Sequence, residues 1–360
     1  MGLREETDMD KYLVTGACGF TGSHTCDLLY ERGLPFRATD IAGANRQWLP
    51  PDCEFVPADI TNLAEVEPLM DGIDIVLHPA AIFDWSATEE QLNAVNVTGM
   101  ENMCAAAKKA GIKRFVSWST SGVYGNQQFD TLPICEDYPV KPIDKYSISK
   151  HKQDKIALRY CAEEGLPTTI IRPGIVYGPR AKYGAMQFFD TFAMLPVIPI
   201  PVNFDKYKLG TIHARDIGGA ALFAATKPEA VGQIYGVVDN SDVTIAEFFR
   251  YIAAAMNKNT IPLYVPPKLS AKMGLVAATI SELLAKHVTK KRPLLEKEPL
   301  RFFPTSLDIS NRKIRDLGYE FEYPDVRIGV IETVDWMRDE GLMDVSIIDK
   351  LKSEFSPPAL

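Results

Sequence analysis

The sequence lacks the features that mark several large classes of protein. It has no uninterrupted apolar run of roughly 18 or more residues, the length that a membrane-spanning helix requires. Its 39 Lys and Arg residues are outnumbered by 47 Asp and Glu residues, and the resulting net charge of −8 is unsuited to contacts with nucleic-acid phosphates. The N-terminal segment MGLREETDMDK has no apolar core of the kind that a secretory signal needs. We therefore expect a cytoplasmic protein with no nucleic-acid partner.

The cysteines also lack any spacing that would indicate a disulfide framework or a zinc site. The chain has six of them, Cys18, Cys26, Cys53, Cys104, Cys135 and Cys161. They lie far apart, and no two form a CxxC pair or a cluster with histidine. This pattern is typical of reduced thiols in a reducing compartment, so we expect no structural metal.

What the sequence contains is an alternation of short β-branched segments and longer helical segments. The predicted strands are Tyr12–Thr15, Phe36–Thr39, Glu54–Val56, Ile73–His78, Arg114–Ser117, Thr168–Arg172 and Ile234–Val238. The predicted helices are Gly22–Arg32, Leu63–Met70, Glu89–Ala110, Tyr146–Glu164 and Asp216–Thr226. Strand and helix alternating at intervals of about 30 residues predict parallel βαβ units, and therefore an α/β fold with a doubly wound parallel sheet.

The alternation ends near Arg172, which indicates a domain boundary. Residues 173–210 are rich in Pro, Phe and Met and suit an apolar cap, and residues 239–360 form a mostly helical, irregular region. With 360 residues the chain is long enough for two units. We predict a first domain of residues 1–172, to which residues 211–238 return, and a smaller substrate-binding domain of residues 173–210 and 239–360.

A glycine-rich turn follows the first predicted strand and opens the first predicted helix. Its glycines are Gly16, Gly19 and Gly22, and the neighbouring candidates for cofactor contact are Cys18, Phe20 and Thr21. The first glycine permits the tight turn, the second lets the backbone approach a pyrophosphate, and the third allows close packing of helix on strand. The N–H groups at the start of the helix then face the phosphates, so the turn predicts a dinucleotide site.

An acidic residue ends the second predicted strand, 18 residues after Gly22. The carboxylate of Asp40 can accept hydrogen bonds from the adenosine ribose and repels a 2′-phosphate, which favours NAD over NADP. Arg46 lies close enough in sequence to keep NADP as the minority alternative. Asp59 and Ile60 follow the third strand, where Asp59 either meets the adenine or caps the next helix.

Tyr146 and Lys150 begin a long predicted helix and stand one turn apart on the same face. A free phenol has a pKa of about 10, too high for a base at neutral pH. A neighbouring ammonium stabilises the phenolate, so we expect Lys150 to lower the pKa of Tyr146. Such a pair can take a proton from an alcohol as hydride leaves its carbon, or return one in the reduction.

Taken in order, these motifs resemble those of the extended short-chain dehydrogenase/reductases. The matching segments are Gly16/Gly19/Gly22, Asp40, Asp59, His78–Ala81, Asn96–Gly99, Ser119–Gly125, Tyr146/Lys150, Arg172–Pro179 and His213–Asp216. The resemblance covers nearly the whole chain. It implies a Rossmann-type fold, NAD as cofactor, a small-molecule substrate and an oxidoreductase that retains its catalytic pair.

The resemblance also implies roles for individual residues. Thr120 is the catalytic hydroxyl that holds the substrate oxygen near Tyr146, and Ser119 and Ser121 are the alternatives to it. Lys150 additionally bonds the nicotinamide ribose.

Other family positions line the cofactor trough or support it. Ala80, Ala81 and Pro173 lie beside the cofactor, and Asn96 either contributes to the same site or ties its helix to the active-site strand. We expect a packing role for His213 and a helix N-cap at Asp216. A homodimer is expected through segments 89–110 and 146–164.

Departures from the family pattern narrow the chemistry. Nucleotide-sugar dehydratases carry Asp-Glu directly after the catalytic Thr, whereas this chain has Ser121-Gly122. Nucleotide-sugar epimerases carry Asn and Arg at the positions of Ile175 and Leu209, and losing these groups forfeits charge-assisted hydrogen bonds to a diphosphate. Lys208 could partly replace that arginine, so an epimerase that retains its NAD stays the alternative function.

The expected substrate site is apolar. Phe83 and Trp85 follow the fourth strand, and Phe188 belongs to the apolar cap, which suits a hydrophobic secondary alcohol or ketone. Together with Ser121 and Tyr146 these are the substrate-contact candidates. The layout is closest to the 3β-hydroxysteroid dehydrogenase branch, which has a similar apolar helical insertion and a late Leu317-Gly318-Tyr319 segment.

Residues 266–292 carry an apolar helical face followed by a basic run. Leu269, Met273, Val276, Ile280 and Leu283–Leu284 share that face, and Lys290, Lys291 and Arg292 follow it. The segment is too short to span a bilayer. It is interpreted as a helix packed in the core, with a lid over the substrate and a peripheral membrane-surface helix as alternatives.

Overall fold

A seven-stranded, fully parallel sheet forms the centre of the molecule. The computed structural model describes residues 9–126, 129–264, 267–289, 293, 296–300 and 305–343. The strands of the sheet are β1 (Tyr12–Thr15), β2 (Phe36–Thr39), β3 (Glu54–Phe55), β4 (Ile75–His78), β5 (Arg114–Trp118), β6 (Thr168–Pro173) and, later in the chain, β11 (Ile234–Val237). Their order is β11-β6-β5-β4-β1-β2-β3. All seven predicted strands are present, and the doubly wound α/β fold is confirmed.

Helices cover both faces of this sheet, and the central strands β1, β4 and β6 are buried on both sides. They are α1 (Phe20–Glu31), α2 (Leu63–Val66), α3 (Glu89–Leu92), α4 (Gly99–Ala110), α5 (Lys145–Glu164) and α7 (Ala214–Ala225). Helices α1 and α7 enclose one apolar cluster against the sheet, and α2, α4 and α5 enclose the other. The predicted helix Glu89–Ala110 is divided, because a π-helical stretch over Asn93–Thr98 separates α3 from α4.

Several of the remaining elements build a third apolar cluster beside the sheet. The strands are β7 (Ile175–Tyr177), β8 (Val197–Pro201), β9 (Lys208–Leu209), β10 (Thr211–His213), β12 (Val243–Thr244) and β13 (Asn259–Leu263), and the helices are α6 (Met186–Met194), α8 (Ile245–Ala255), α9 (Pro267–Leu284), α10 (Lys297–Leu300), α11 (Arg312–Asp316) and α12 (Val326–Asp339). Within the part of the chain that the structure describes, these strands pair in two-stranded ribbons. The core of this cluster comes mainly from α6, α8 and α12.

The apolar face of α9 is exposed, which contradicts the interpretation of a core-packed helix. Val276, Ile280 and Leu283 each leave more than half of their surface accessible, at 60%, 53% and 53%. Among the side chains that the structure describes in residues 267–289, the buried ones are the small residues Ala278 of α9 and Ala285 just after it. Among the described residues, no helix combines the length and apolarity that crossing a membrane demands.

Candidate active site

A cavity of about 860 Å³ opens at the carboxyl ends of the central strands. It lies where β1 is flanked by β4 on one side and β2 on the other, the point at which the strand order reverses and ligands bind in this class of sheet. With one exception, Asn96, every predicted site residue lines it: Gly16, Cys18, Gly19, Phe20, Thr21, Gly22, Asp40, Asp59, Ile60, Ala80, Ala81, Phe83, Trp85, Ser119, Thr120, Ser121, Tyr146, Lys150, Pro173 and Phe188.

The glycine turn has the geometry of a phosphate cradle. Gly16 has a φ of +57°, and a Cβ there would lie 2.9 Å from the Cα of Ala80. A Cβ at Gly22 would lie 2.1 Å from the carbonyl oxygen of Gly16. Helix α1 begins directly after Gly19, and no side chain caps its first N–H groups. Side chains at Gly16 and Gly22 would collide with the backbone of Ala80 and of the turn itself, so the glycines are what permits this tight turn. The turn leaves the first N–H groups of α1 at the cavity, an arrangement that fits the pyrophosphate of a dinucleotide.

Asp40 and Asp59 line the adenosine end of the cavity. The carboxylate of Asp40 accepts hydrogen bonds from the backbone N–H groups of Cys18, at 3.0 Å, and Ile41, at 2.8 Å. Burial raises the pKa of this carboxyl, while the two N–H groups act against that rise. Asp59 accepts a bond from the N–H of Thr61 at 2.9 Å. It does not cap α2, because Asn62 does so.

Arg46, on which the NADP alternative depended, takes no part in the cavity wall. Its guanidinium lies over the ring of Phe55, 5.0 Å from the centroid. The side chain is exposed, and Arg46 is not among the residues that line the cavity. Of the two residues, Asp40 is therefore the one placed to distinguish NAD from NADP.

Asn96 does not line the cavity, and its hydrogen bonds are those of the structural alternative. Its amide oxygen accepts from the N–H of Ile82 at 2.8 Å, and its amide nitrogen donates to the carbonyl of Ile82 at 3.1 Å. The same nitrogen donates to the hydroxyl of Ser149 at 2.9 Å. Asn96 thus fixes the loop after β4 to α5, which carries the Tyr–Lys pair.

Tyr146 and Lys150 lie in the first turns of α5. Asp144 caps this helix by accepting a bond from the N–H of Ser147. The ammonium of Lys150 is buried and donates to the side-chain oxygen of Gln153 at 2.6 Å. Burial lowers the pKa of Lys150 to about 8.

The expectation that Lys150 depresses the tyrosine pKa is not met. Burial raises the pKa of Tyr146, and the carboxylates of Asp144 and Asp154 raise it further. The low dielectric of the cavity disfavours phenolate and ammonium alike, because both charged forms lose hydration there. Tyr146 is accordingly a neutral phenol in this cavity.

Of the three candidate hydroxyls after β5, that of Ser119 is used in a hydrogen bond within the fold. Its hydroxyl donates to Asp154 at 2.8 Å, and Asp154 forms a buried ion pair with Arg172 at 2.9 Å. Thr120 differs, because its oxygen accepts from the N–H of Gly122 at 3.1 Å. A hydroxyl that accepts in this way still has its proton to donate, so the geometry favours Thr120 as the group that meets the substrate.

Aromatic side chains surround Tyr146 on the substrate side. The Phe83 ring lies 4.7 Å from the ring of Tyr146 and 5.1 Å from those of Trp85 and Tyr183, measured between centroids. Phe188 lies farther out and packs on Phe249 at 4.9 Å. This wall confirms an aromatic surface beside the predicted base.

Several cavity residues were not predicted from the sequence. They include Trp48, Arg180, Lys182, Tyr183, Thr191 and Glu296. Arg180 pairs with Asp27 at 2.6 Å and stacks on Trp48. Tyr183 and Glu296 are in contact although 113 positions separate them, so no local motif could have associated them.

The His213–Asp216 segment has a structural role. His213 is fully buried outside the cavity and stacks on Tyr323 with 3.8 Å between ring centroids, which agrees with the predicted packing role. The N-cap of α7 is His213, so the prediction that Asp216 caps the helix is wrong. The carboxylate of Asp216 instead accepts from the hydroxyl of Tyr319 and the N–H of Glu322, each at 2.8 Å.

The doubly wound sheet, the glycine cradle with Asp40 and the Tyr–Lys pair define an enzyme of the short-chain dehydrogenase/reductase class. Residues 12–237 match the model of the NAD dependent epimerase/dehydratase family. The chain belongs to this family, and its cofactor is NAD.

Three relatives illustrate how far the likeness extends. A 3-beta-hydroxysteroid dehydrogenase of Mycolicibacterium neoaurum is 30% identical over 337 residues, which cover 87% of this chain and 88% of that protein. A UDP-glucose 4-epimerase of Vibrio cholerae is 28% identical over 264 residues, covering 71% of this chain and 78% of the relative. The crystal structure of the Bordetella bronchiseptica enzyme WbmH in complex with NAD+ superposes with a TM-score of 0.69 at 25% identity, covering 92% of this chain and 99% of that one.

Proposed function

We propose that the protein is an NAD-dependent oxidoreductase that interconverts a hydrophobic secondary alcohol and its ketone, of 3β-hydroxysteroid or related alicyclic type. The observation that carries the proposal is the aromatic wall of Phe83, Trp85 and Tyr183 beside Tyr146. An apolar alicyclic ring fits such a wall, whereas a sugar would lose hydration against these rings.

The residues of the chain supply the proton chemistry and the positioning. NAD, held by the glycine turn and Asp40, supplies the hydride acceptor or donor when bound. In the reduction, Tyr146, kept neutral by burial, donates its phenolic proton to the oxygen of the ketone and becomes a phenolate. In the oxidation, the phenolate form of Tyr146 takes the proton of the alcohol and becomes the neutral phenol. Thr120 orients that oxygen through its hydroxyl. Lys150 is buried one helical turn from Tyr146, on the same face of α5.

Two positions argue against the nucleotide-sugar epimerase. Ile175 and Leu209 both line the cavity, and neither offers a hydrogen bond to a diphosphate. Lys208, the possible substitute, binds Asp242 at 2.6 Å and does not line the cavity. These side chains support an apolar substrate in place of a charged one.

The test follows absorbance at 340 nm with NAD and two substrate panels. One panel holds 3β-hydroxysteroids and simpler alicyclic alcohols, and the other holds nucleotide-sugars with product analysis. We expect NADH to form with an apolar alcohol and the rate to fall at least 100-fold in Tyr146→Phe, since the proton donor is lost (a general acid–base contributes about 10²–10⁴-fold).

Tyr138→Phe is the matched control, because Tyr138 bonds Asp130 at 2.9 Å and lies outside the cavity lining. It should retain full activity. Interconversion of a nucleotide-sugar without net NADH would overturn the proposal in favour of the epimerase.

A further inference from the structure

The ammonium of Lys150 is held by a neutral side chain. Lys150 and Gln153 lie three positions apart on one face of α5, and they are 1% and 0% exposed. The Nζ atom of Lys150 donates to the Oε1 atom of Gln153 at 2.6 Å. Lys150 lines the cavity, whereas Gln153 is not among the lining residues. Gln153 can therefore act on a bound ligand only through Lys150.

The amide of Gln153 is itself fixed by the neighbouring strand. Its Nε2 atom donates to the hydroxyl of Ser117 at 2.8 Å and to the carbonyl of Trp118 at 3.3 Å, both on β5. These acceptors use both N–H groups of the amide, so its oxygen is the atom that faces Lys150. Rotating the amide by half a turn would lose these bonds and bring an N–H donor against an ammonium. The strand thus determines the orientation of the group that holds Lys150.

No carboxylate accompanies this hydrogen bond. Among the residues that the structure describes, none forms an ion pair with Lys150. Asp154 acts on the ammonium through space, but it is itself paired with Arg172 of β6 at 2.9 Å. His78 of β4 also faces Lys150 and is neutral, since burial lowers its pKa to about 3. The phenol of Tyr146 is neutral as well, so the charge of Lys150 has no direct counter-ion there.

A partner without charge suits the part that Lys150 plays in the proposed chemistry. The reduction leaves Tyr146 as a phenolate, and a cation stabilises this phenolate most when no carboxylate already neutralises it. An ammonium has three N–H donors, and Gln153 uses one of them, which leaves two for groups in the cavity.

Resting on the proposed function, we propose that Gln153 is a positioning residue of the Tyr–Lys pair. Its amide oxygen fixes the ammonium of Lys150 at the cavity wall. Because the amide is neutral, it also preserves the positive charge that supports the phenolate of Tyr146.

Competitive labelling with acetic anhydride measures the titration of Lys150 without substrate or cofactor, because only the uncharged amine reacts. Peptide mass spectrometry gives the pH of half-maximal labelling, which should lie near 8 in the wild type, since burial lowers the pKa of Lys150 to about 8. In Gln153→Glu this pH should rise by about 1–3, as beside an opposite charge. In Gln153→Met it should fall by about 1–2, because losing a hydrogen bond to a charged group changes the proton affinity about 10- to 100-fold.

Two control variants separate this effect from damage to the fold. Ser117→Ala removes a bond that Gln153 donates to β5 but leaves its amide oxygen, so it should lower the free energy of unfolding and keep the labelling profile of Lys150. Gln233→Met breaks a second lysine–glutamine pair, in which Lys313 donates to Gln233 at 2.9 Å outside the cavity lining, and it should leave Lys150 unchanged. Equal changes in Ser117→Ala and Gln153→Met would show a structural effect and overturn the inference.

Turnover tests the consequence for Tyr146. With NAD and an apolar alcohol at neutral pH, Gln153→Glu should lower kcat about 10-fold or more and leave the KM for the alcohol unchanged. The reason is that each rise of one in the pKa of Tyr146 lowers its phenolate fraction about tenfold. Gln233→Met should keep full activity. A kcat that Gln153→Glu leaves unchanged would contradict the role of Gln153.

The two proposals fail in different ways. Turnover of apolar alcohols, with the same half-labelling pH of Lys150 in the wild type and both Gln153 variants, would overturn the positioning role and leave the oxidoreductase proposal intact. The expected labelling changes, without turnover of any alcohol, would uphold the hold of Gln153 on Lys150 and overturn the oxidoreductase proposal.

Discussion

At the scale of single residues, cofactor choice depends on the carboxylate of Asp40. Two backbone N–H groups hold it at the cavity wall, whereas Arg46 is directed to Phe55. We predict that Asp40→Asn narrows the preference of the protein for NADH over NADPH by about 10-fold or more, because the repulsion of a 2′-phosphate is removed. The measurement is the pair of dissociation constants by fluorescence, with no substrate present. Arg46→Ala is the control and should leave the ratio unchanged; a change in Arg46→Ala alone would refute the assignment.

The serine and the threonine after β5 should have different roles, Ser119 in the stability of the fold and Thr120 in turnover. Ser119 donates to the buried carboxylate of Asp154, so Ser119→Ala should lower the free energy of unfolding by about 1.5–3 kcal/mol, as for the loss of a hydrogen bond to a charged group. Thr120→Ala should lower kcat by about 100-fold, and Thr120→Ser should restore most of it because the hydroxyl returns. Denaturant unfolding and the 340 nm assay measure the two effects. A large fall in kcat in Ser119→Ala, with Thr120→Ala fully active, would show that Ser119 and not Thr120 is the catalytic hydroxyl.

At the scale of elements, α9 presents an apolar surface that suits a lipid bilayer. Segment 266–292 has six Lys or Arg residues and one Glu within a chain of net charge −8, so its charge complements an anionic membrane surface. The adjacent α10 contributes Leu300 to the cavity wall, which places the exposed face next to the proposed site for an apolar substrate. Peripheral contact with anionic lipid is therefore our proposal for this helix.

Vesicle sedimentation tests this contact. We predict binding to vesicles containing phosphatidylserine, weakened at least 10-fold in the double variant Val276→Ser, Ile280→Ser because apolar burial is lost. The control is Ile328→Ser, Ile331→Ser, which removes two similarly exposed residues from α12. Equal weakening in both variants, or equal binding to neutral and anionic vesicles, would contradict the prediction. Loss of a dimer in the α9 variant, measured by light scattering, would assign the face to a second copy of the chain.

The homodimer that the family resemblance implies would form through α4 and α5. The two helices pack on each other over the sheet, held in part by Arg159 of α5 donating to Glu101 of α4 at 2.6 Å. Dimerisation through the segments 89–110 and 146–164 stays a prediction.

At the scale of the whole molecule, buried histidines link stability to pH. Burial lowers the pKa of His24 to about 4 and those of His78 and His213 to about 3. Unfolded, each would titrate near 6.5, so below that pH the unfolded chain binds protons that the folded chain does not. These histidines therefore leave the free energy of unfolding unaffected above about pH 6.5, and they lower it as the pH decreases below that value. Asp239 acts in the opposite direction, because burial raises its pKa to about 7.

We predict that His24→Gln reduces this acid sensitivity. The glutamine amide can replace the bond that His24 forms with the carbonyl of Pro179 at 2.9 Å, but it binds no proton. Between pH 7.5 and 5.5 the wild type should lose about 1.4 kcal/mol more unfolding free energy than the variant. Urea unfolding at several pH values measures this difference, and parallel pH profiles would contradict it.

The sequence alone determined the order of strands and helices, the glycine turn, Asp40 and the Tyr146–Lys150 spacing. These features depend on short-range backbone geometry, because a tight turn, a strand end or one helical turn is specified by residues that are neighbours in the chain. The predicted strands therefore agree with the structure to within two residues at each end.

Tertiary packing decided the rest of the site. Only the fold brings Glu296 to Tyr183 across 113 positions, commits Ser119 to Asp154, places Asn96 behind the cavity wall and leaves the apolar face of α9 uncovered. Burial likewise raises the pKa of Tyr146, whereas the sequence predicted that its neighbour Lys150 would lower it. Such outcomes depend on which distant surfaces meet and how much water they exclude, and neither quantity is encoded in local spacing.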